Sequence, residues 1–270
     1  MVLGVIGGGV MGEALMRRLI ERSIYVPQDI FVSEPRRERL DYLRDRYGIR
    51  AADSSAAVAA EAQVLLLAVK PQVFDAVAKT LGPEAGSASA AATLIVSILA
   101  GIPLSRLEAA FPGHPVVRAM PNTPATVGAG ITALAGGAEA IADHLAQATR
   151  LFSAVGQVVQ VPESLMDAVT GLSGSGPGYI AVVIEALTDG GVAVGLPRAT
   201  AAQLAVQTVR GTAELLASGE LHPAELKDRV TSPGGTTIAG VARLEQAGLR
   251  SALIEAVRAA YQRSRELGES

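Results

Sequence analysis

Short, wholly apolar runs alternate with helical periodicity over the first 160 residues of this chain, and then the runs stop. Residues 2–6, 30–32, 64–69, 94–98 and 116–120 read as strands. The run at 64–69 has no polar member and is bounded by Pro71, as expected for a strand buried on both faces of a parallel sheet. Between the first two strands, residues 11–22 place apolar side chains at helical spacing, and residues 36–47 form a charged helix. Repeated strand–helix units of this kind build a Rossmann-type, doubly wound α/β sheet. Residues 131–134 and 155–161 add strands at its edge.

Beyond Pro162 the pattern is helical throughout, punctuated by Gly and Pro: residues 165–172, 177–194, 198–218, 223–230, 236–247 and a last helix from 250. The expected division is therefore a Rossmann-type α/β domain over 1–161 and an all-helical domain over 162–270. The 177–194 helix is apolar nearly all round, yet the stretch 177–196 carries Glu185, Asp189 and several glycines, which reads as a buried helix and not a membrane span. The next helix is rich in small residues. One of the two could be the centre of its own bundle. A domain of about one hundred residues has little interior to spare, so packing against a second copy of the chain is favoured.

Composition removes whole classes of function. Hydrophobic residues make up 49% and aromatics 3%, without tryptophan, so the core is aliphatic. A net charge of −3 and few stacking platforms argue against nucleic-acid binding. With no cysteine there is no disulfide, thiolate nucleophile or cysteine–metal site. His114, His144 and His222 are scattered without ligand spacing, so no metal is expected and each reads as a surface or capping residue. Met1-Val2-Leu3-Gly4 shows no basic region or cleavage pattern, and a cytoplasmic protein is expected.

Two candidate anion cradles remain. The first is Gly7-Gly8-Gly9-Val10-Met11-Gly12, a glycine signature that follows a strand and opens a helix. Gly7 would make the tight turn, Gly9 would let backbone approach a pyrophosphate, and Gly12 would pack helix on sheet. At the end of the second strand, Glu34 stands about where a carboxylate binds the ribose 2′-hydroxyl of NAD. Ser33 with Arg36 or Arg37 could instead hold a 2′-phosphate, which gives a lean towards NADPH over NADH. The run Arg36-Arg37-Glu38-Arg39 and Asp41 also reads as a solvated helix start. Ala68-Val69-Lys70-Pro71 closes a buried strand at the end where ligands collect in open α/β sheets, and Asn122 sits in a rigid loop between Pro121 and Pro124. The second cradle is Ser232-Pro233-Gly234-Gly235-Thr236-Thr237, at an expected helix start whose outward N–H groups suit a small anion. Ser or Thr with Gly is equally the make-up of an ordinary cap.

Together with Arg118-Ala119-Met120-Pro121-Asn122-Thr123-Pro124 and Leu172-Ser173-Gly174-Ser175-Gly176-Pro177, these segments resemble, in order and over essentially the whole chain, the Δ1-pyrroline-5-carboxylate reductase family. The resemblance implies hydride delivery from NAD(P)H to a cyclic imine, giving L-proline, and a C-terminal domain that interlocks with a partner subunit in a dimer, often within a larger ring such as a decamer. It makes Thr237 the hydroxyl that meets the imine nitrogen. Ser232, Gly234, Gly235 and Thr236 would hold the substrate carboxylate. The coenzyme would be bound by residues 7–12, Ser33, Arg36, Ser55, Ala68, Val69, Lys70, Pro71 and Asn122.

Some positions depart from the family pattern. Ser54-Ser55 stand where relatives often carry an asparagine, and Arg229 stands where they can carry another. Glu163 and Glu220 match acidic positions that approach substrate in some relatives and read equally as solvated helix-edge carboxylates, with Glu163 taken as a substrate contact. A β-hydroxyacid-dehydrogenase-like oxidoreductase shares the layout, but residues 171–196 hold no lysine or arginine to carry its proton. A non-catalytic nucleotide-sensing dimer would keep the glycine loop and lose the second cradle.

Overall fold

The computed structural model describes residues 1–81, 85 and 92–269. Among these, eight strands form one sheet: β1 (Leu3–Ile6), β2 (Ile30–Ser33), β3 (Arg50–Ala51), β4 (Val64–Leu67), β5 (Leu94–Ser97), β6 (Val116–Met120), β7 (Gly130–Gly136) and β8 (Gly156–Gln160). Their order is β3-β2-β1-β4-β5-β6-β7-β8. Every neighbouring pair is parallel except β6 with β7, which run antiparallel. The chain builds outward from β1 to β3 on one side and then crosses to β4 on the other. The carboxyl ends of β1 and β4 therefore form the switch point where such sheets bind ligands.

The helices α1 (Val10–Glu21), α2 (Arg37–Tyr47), α3 (Ser55–Glu61), α4 (Phe74–Leu81), α5 (Leu104–Ala110) and α6 (Ala142–Phe152) connect the strands. All residues of β1, β2, β4 and β5 are buried, which is why their sequence is apolar without alternation. Successive side chains still point to opposite faces: Leu3 and Val5 pack with Leu15, Met16 and Leu19 of α1, while Ile6, Leu65 and Leu67 join Phe74 of α4. The highly charged α2 buries only Leu40 and Leu43 and stops at Gly48, whose φ of 69° is the left-handed turn that favours glycine. β4 ends two residues earlier than its apolar run suggests. Ala68 still donates to the Ile6 carbonyl at 2.8 Å, but the chain there turns towards the glycine loop.

After Gln160 no described residue lies in a strand. The chain passes through α7 (Met166–Val169), a wide π turn at Thr170–Gly174, α8 (Gly176–Ala193), α9 (Arg198–Ala217), α10 (Pro223–Arg229), α11 (Thr236–Gln246) and α12 (Leu249–Glu269). Two compact units result, one of Met1–Gly174 with Ala260–Ser270 and the other of Ser175–Ala259. In the first, the Ser264 hydroxyl donates to Asp167 at 2.7 Å and ties the end of α12 to α7. In the second, α8 and α9 pack closely: a Cβ on Gly191 would stand 3.0 Å from that of Ala201. The Tyr179 hydroxyl donates to the Ala256 carbonyl.

The sequence reads α8 as buried, but in the single chain only its Thr188 is. Ile180, Val182 and Leu187 of α8 and Leu204, Val206 and Leu215 of α9 are all exposed. α8 is thus not the enclosed centre of a one-chain bundle. An apolar surface of this extent marks an interaction face. No described helix is long and apolar enough to cross a membrane.

Candidate functional site

The glycine loop joins β1 to α1. Gly7 has a φ of 104°, and a Cβ there would lie 2.6 Å from the Ala68 carbonyl oxygen, so the backbone just after β4 leaves no room for a side chain. At Gly12 a Cβ would lie 2.4 Å from the Gly7 carbonyl oxygen, which brings the first turn of α1 onto the loop. Gly9 differs. Its φ of −68° suits any residue, and a Cβ would meet no atom within 4 Å. Gly9 caps α1 without a side-chain hydrogen bond. The outward N–H groups of that first turn, with open approach at Gly9, fit a dinucleotide pyrophosphate.

Around the loop, the end of β2 and the link to α2 form a hydrogen-bond network. The Gly7 N–H donates to the Ser33 carbonyl at 2.9 Å, and the Gly8 N–H donates to Glu34 Oε2 at 3.0 Å. Glu34 Oε1 accepts from Arg36 Nε at 2.8 Å and from the Arg36 N–H at 3.3 Å. Burial alone would raise the Glu34 pKa. The Arg36 side chain and the N–H groups of Arg36 and Gly8 outweigh it and hold this carboxyl below its ordinary range. Arg36 is 69% exposed, with its guanidinium braced by Glu34 on one edge. The Ser33 and Ser55 hydroxyls share a hydrogen bond of 3.0 Å, so two of the expected coenzyme residues meet.

Arg39 belongs to the charge run that reads as solvated, yet it is largely covered. Its Nε donates to the Gly8 carbonyl at 2.8 Å, and its terminal nitrogen pairs with Glu13. Glu13 also accepts from the Tyr47 hydroxyl at 2.7 Å. Burial would raise Glu13, but the hydrogen bonds from Arg39 and Tyr47 lower it overall, while burial and Glu13 push Tyr47 up to about 12. The sequence did carry a signal for Arg39, because it shares a helix face with Leu43 and Tyr47 at spacings of four.

Lys70 is exposed at the start of the turn after β4, and Pro71 fills the first position of that turn. Ala68 and Val69 abut Gly7 through their backbone. Asn122 uses both ends of its amide within the protein: Oδ1 accepts from the Ile131 N–H at 3.0 Å, and Nδ2 donates to the Ser173 carbonyl at 3.1 Å. Glu163 pairs with the buried Arg118 at 3.2 Å and accepts from the Leu104 N–H. His144 and His222 each accept from a helix-start N–H, and His114 bonds the Thr93 carbonyl. No cluster of three or more metal-ligating side chains occurs among the described residues.

In the second unit, α11 begins at Thr236 with Gly235 as its cap, and no side chain closes that end. Gly234 takes a φ of 69°, which lets the chain turn into the helix. The Gly235 N–H donates to the Ser232 carbonyl at 3.0 Å, and a Cβ on Gly235 would lie 2.3 Å from Ser232 Oγ. The hydroxyls that resemble capping groups in the sequence therefore leave the first-turn N–H groups to another acceptor. Thr237 is half-buried beside them.

Comparisons with known proteins agree with this arrangement. Residues 163–267 match the family model described as pyrroline-5-carboxylate reductase dimerisation, and residues 2–101 match one described as NADP oxidoreductase, coenzyme F420-dependent. The chain is 60% identical to a pyrroline-5-carboxylate reductase of Synechocystis sp., covering 99% of this chain and 98% of the relative. It is 48% identical to that of Methanosarcina acetivorans, with the same coverage. Among solved structures, the pyrroline-5-carboxylate reductase of Coxiella burnetii superposes with a TM-score of 0.91 at 34% identity, over 99% of this chain and 98% of that one. That of Plasmodium falciparum with NADP bound superposes with a TM-score of 0.89 at 29% identity, with the same coverage. By sequence along its full length and by fold, the chain belongs to the pyrroline-5-carboxylate reductase family.

Proposed function

We infer that this protein is an NAD(P)H-dependent oxidoreductase that reduces (S)-1-pyrroline-5-carboxylate to L-proline, the last step of proline biosynthesis. The similarity to reductases of that name along 99% of the chain carries the reading. Residues 1–161 would bind the coenzyme, and residues 162–270 the substrate and a second subunit.

When bound, the reduced nicotinamide supplies a hydride to the imine carbon. The chain's own task is to hold that carbon in place and to manage one proton. The open start of α11 suits the substrate carboxylate: the N–H groups of Thr236 and Thr237 would grip it, with Gly235 as the cap whose own N–H is held by the Ser232 carbonyl, Gly234 shaping the turn and the Ser232 hydroxyl adding a donor. Fixing a small, rigid ring by its carboxylate supplies orientation, which carries much of the rate in such reactions. The Thr237 hydroxyl would hydrogen-bond the ring nitrogen, which must carry a proton as the carbon is reduced. Threonine is too weak an acid to act alone near neutrality, so it would relay from water. Glu163 would contribute to the substrate region by way of its pairing with Arg118.

Residues 7–12, Ala68, Val69, Lys70, Pro71 and Asn122 would serve the pyrophosphate and nicotinamide side of the coenzyme. Ser33, Ser55 and the exposed Arg36 would favour a 2′-phosphate, hence NADPH over NADH. Purified protein given pyrroline-5-carboxylate should oxidise both reduced coenzymes, with the higher kcat/KM for NADPH. No turnover with either would reject the assignment, and a preference for NADH would reject only the role given to Arg36.

The dimerisation match over residues 163–267 and the exposed faces of α8 and α9 support self-association. A dimer through the helical region is the minimal assembly, and a decamer of five such dimers is the larger form we propose, in the cytoplasm. Leu204→Glu, which puts a charge on an exposed apolar face of α9, should shift the species in sedimentation velocity towards the monomer. An unchanged distribution would remove α9 from the interface.

A further inference from the structure

The fold places an acidic residue at the end of β2 where a Rossmann carboxylate ordinarily meets the ribose of NAD. We propose that in this protein Glu34 is instead a positioning residue that works together with Arg39, the two fixing the peptide units on either side of Gly8 and so setting affinity for both coenzymes alike. The proposal rests on the dinucleotide reading of the glycine loop given above.

The geometry is specific. Gly8 N–H donates to Glu34 Oε2 at 3.0 Å, and Gly8 C=O accepts from Arg39 Nε at 2.8 Å. Both polar groups of one loop residue are thus held by side chains from outside the loop. Each holder is itself braced. Glu34 is 6% exposed and keeps its other oxygen on Arg36, while Arg39 is paired with Glu13, which the Tyr47 hydroxyl holds from the far side. A Cβ on Gly8 would lie 2.4 Å from Leu43 Cδ1, so packing from α2 closes the remaining direction. With the Gly7 N–H on Ser33, the loop is anchored up to Gly9, where the open approach begins. A loop anchored in this way presents its outward N–H groups without an ordering cost at binding. The Glu34 carboxylate faces inward onto the loop and onto Arg36. The guanidinium of Arg36 beside it is exposed and so left available to a 2′-phosphate.

The test is calorimetric titration of NADPH and of NADH, without imino acid, into wild-type protein and the variants Glu34→Gln, Arg39→Met and Arg39→Lys. Titrations are run well below each unfolding midpoint, so that a merely destabilised fold leaves Kd unmoved. Glu34→Gln and Arg39→Met should each raise Kd for both coenzymes by about tenfold, and Arg39→Met, which leaves the Glu34–Arg36 pair in place, should keep the NADH-to-NADPH ratio within about twofold of the wild type. Arg39→Lys, which retains the charge facing Glu13, should recover part of the loss. If Glu34→Gln weakens NADH alone, the carboxylate touches the ribose and the proposal is wrong. Unchanged affinities in Arg39→Met would overturn it as well, and that variant decides the matter should Glu34→Gln fail to fold. Wild-type protein that binds neither coenzyme would instead refute the dinucleotide reading itself.

Discussion

Thr237→Ala is expected to lower kcat for pyrroline-5-carboxylate by about 10²-fold, the range for loss of a positioned proton donor or a hydrogen bond to developing charge. Coenzyme Kd, measured without imino acid, should stay unchanged, because the role proposed for Thr237 is a hydrogen bond to the imine nitrogen and not to the coenzyme. Alanine is a better helix former than threonine, and Thr237 is the second residue of α11. A fall in rate therefore could not be assigned to a weakened helix. Thr237→Ser keeps the hydroxyl and should retain most of the activity. Steady-state kinetics at saturating coenzyme decides the question, and a kcat equal to that of the wild type would take Thr237 out of the mechanism.

Gly9→Val should leave a folded chain that no longer binds NADPH or NADH, with Kd raised by more than about 10²-fold (at least ~2.7 kcal/mol). Its φ of −68° is open to valine, and no atom lies within 4 Å of the new Cβ, so the fold has no reason to object. The added methyls would stand where a pyrophosphate must approach the first turn of α1. Gly12→Val is the contrast: its Cβ would be driven against the Gly7 carbonyl, and the variant should lose thermal stability first. Circular dichroism melts beside titrations separate the two behaviours. A Gly9→Val protein that binds coenzyme normally would show that the ligand does not pass over this residue.

Much of the sheet was legible because its central strands are buried on both faces and so carry unbroken apolar runs. β1, β4, β5 and β6 stand within two residues of their expected limits for that reason. β3 was not legible: Arg50–Ala51 has no apolar signature and exists only through its pairing with Phe31 and Val32. The reversal between β6 and β7 leaves no mark in composition, although the short link from Pro121 to Ala129 is too brief for a parallel crossover. Among site residues, Gly7 and Gly12 could be read because their requirement is steric and local. Glu34 and Arg39 could be placed in the sequence, but not oriented. Which way a carboxylate or guanidinium turns depends on partners such as Gly8, Glu13 and Tyr47, and those come from three separate elements. Likewise, α8 has the composition of an interior helix, and a single sequence does not say whose interior it occupies.

The uncapped start of α11 bears on how this protein tolerates change. The grip on a carboxylate proposed for it is made of main-chain amides and is the same whatever side chains hang from them, so truncating residues one at a time to alanine would leave it largely untouched and would under-report its importance. Only substitutions that remove an amide hydrogen, such as proline, or that disturb the left-handed turn at Gly234, reach it directly. Resistance to a carboxylate-bearing inhibitor lodged there would accordingly have few routes by which to arise.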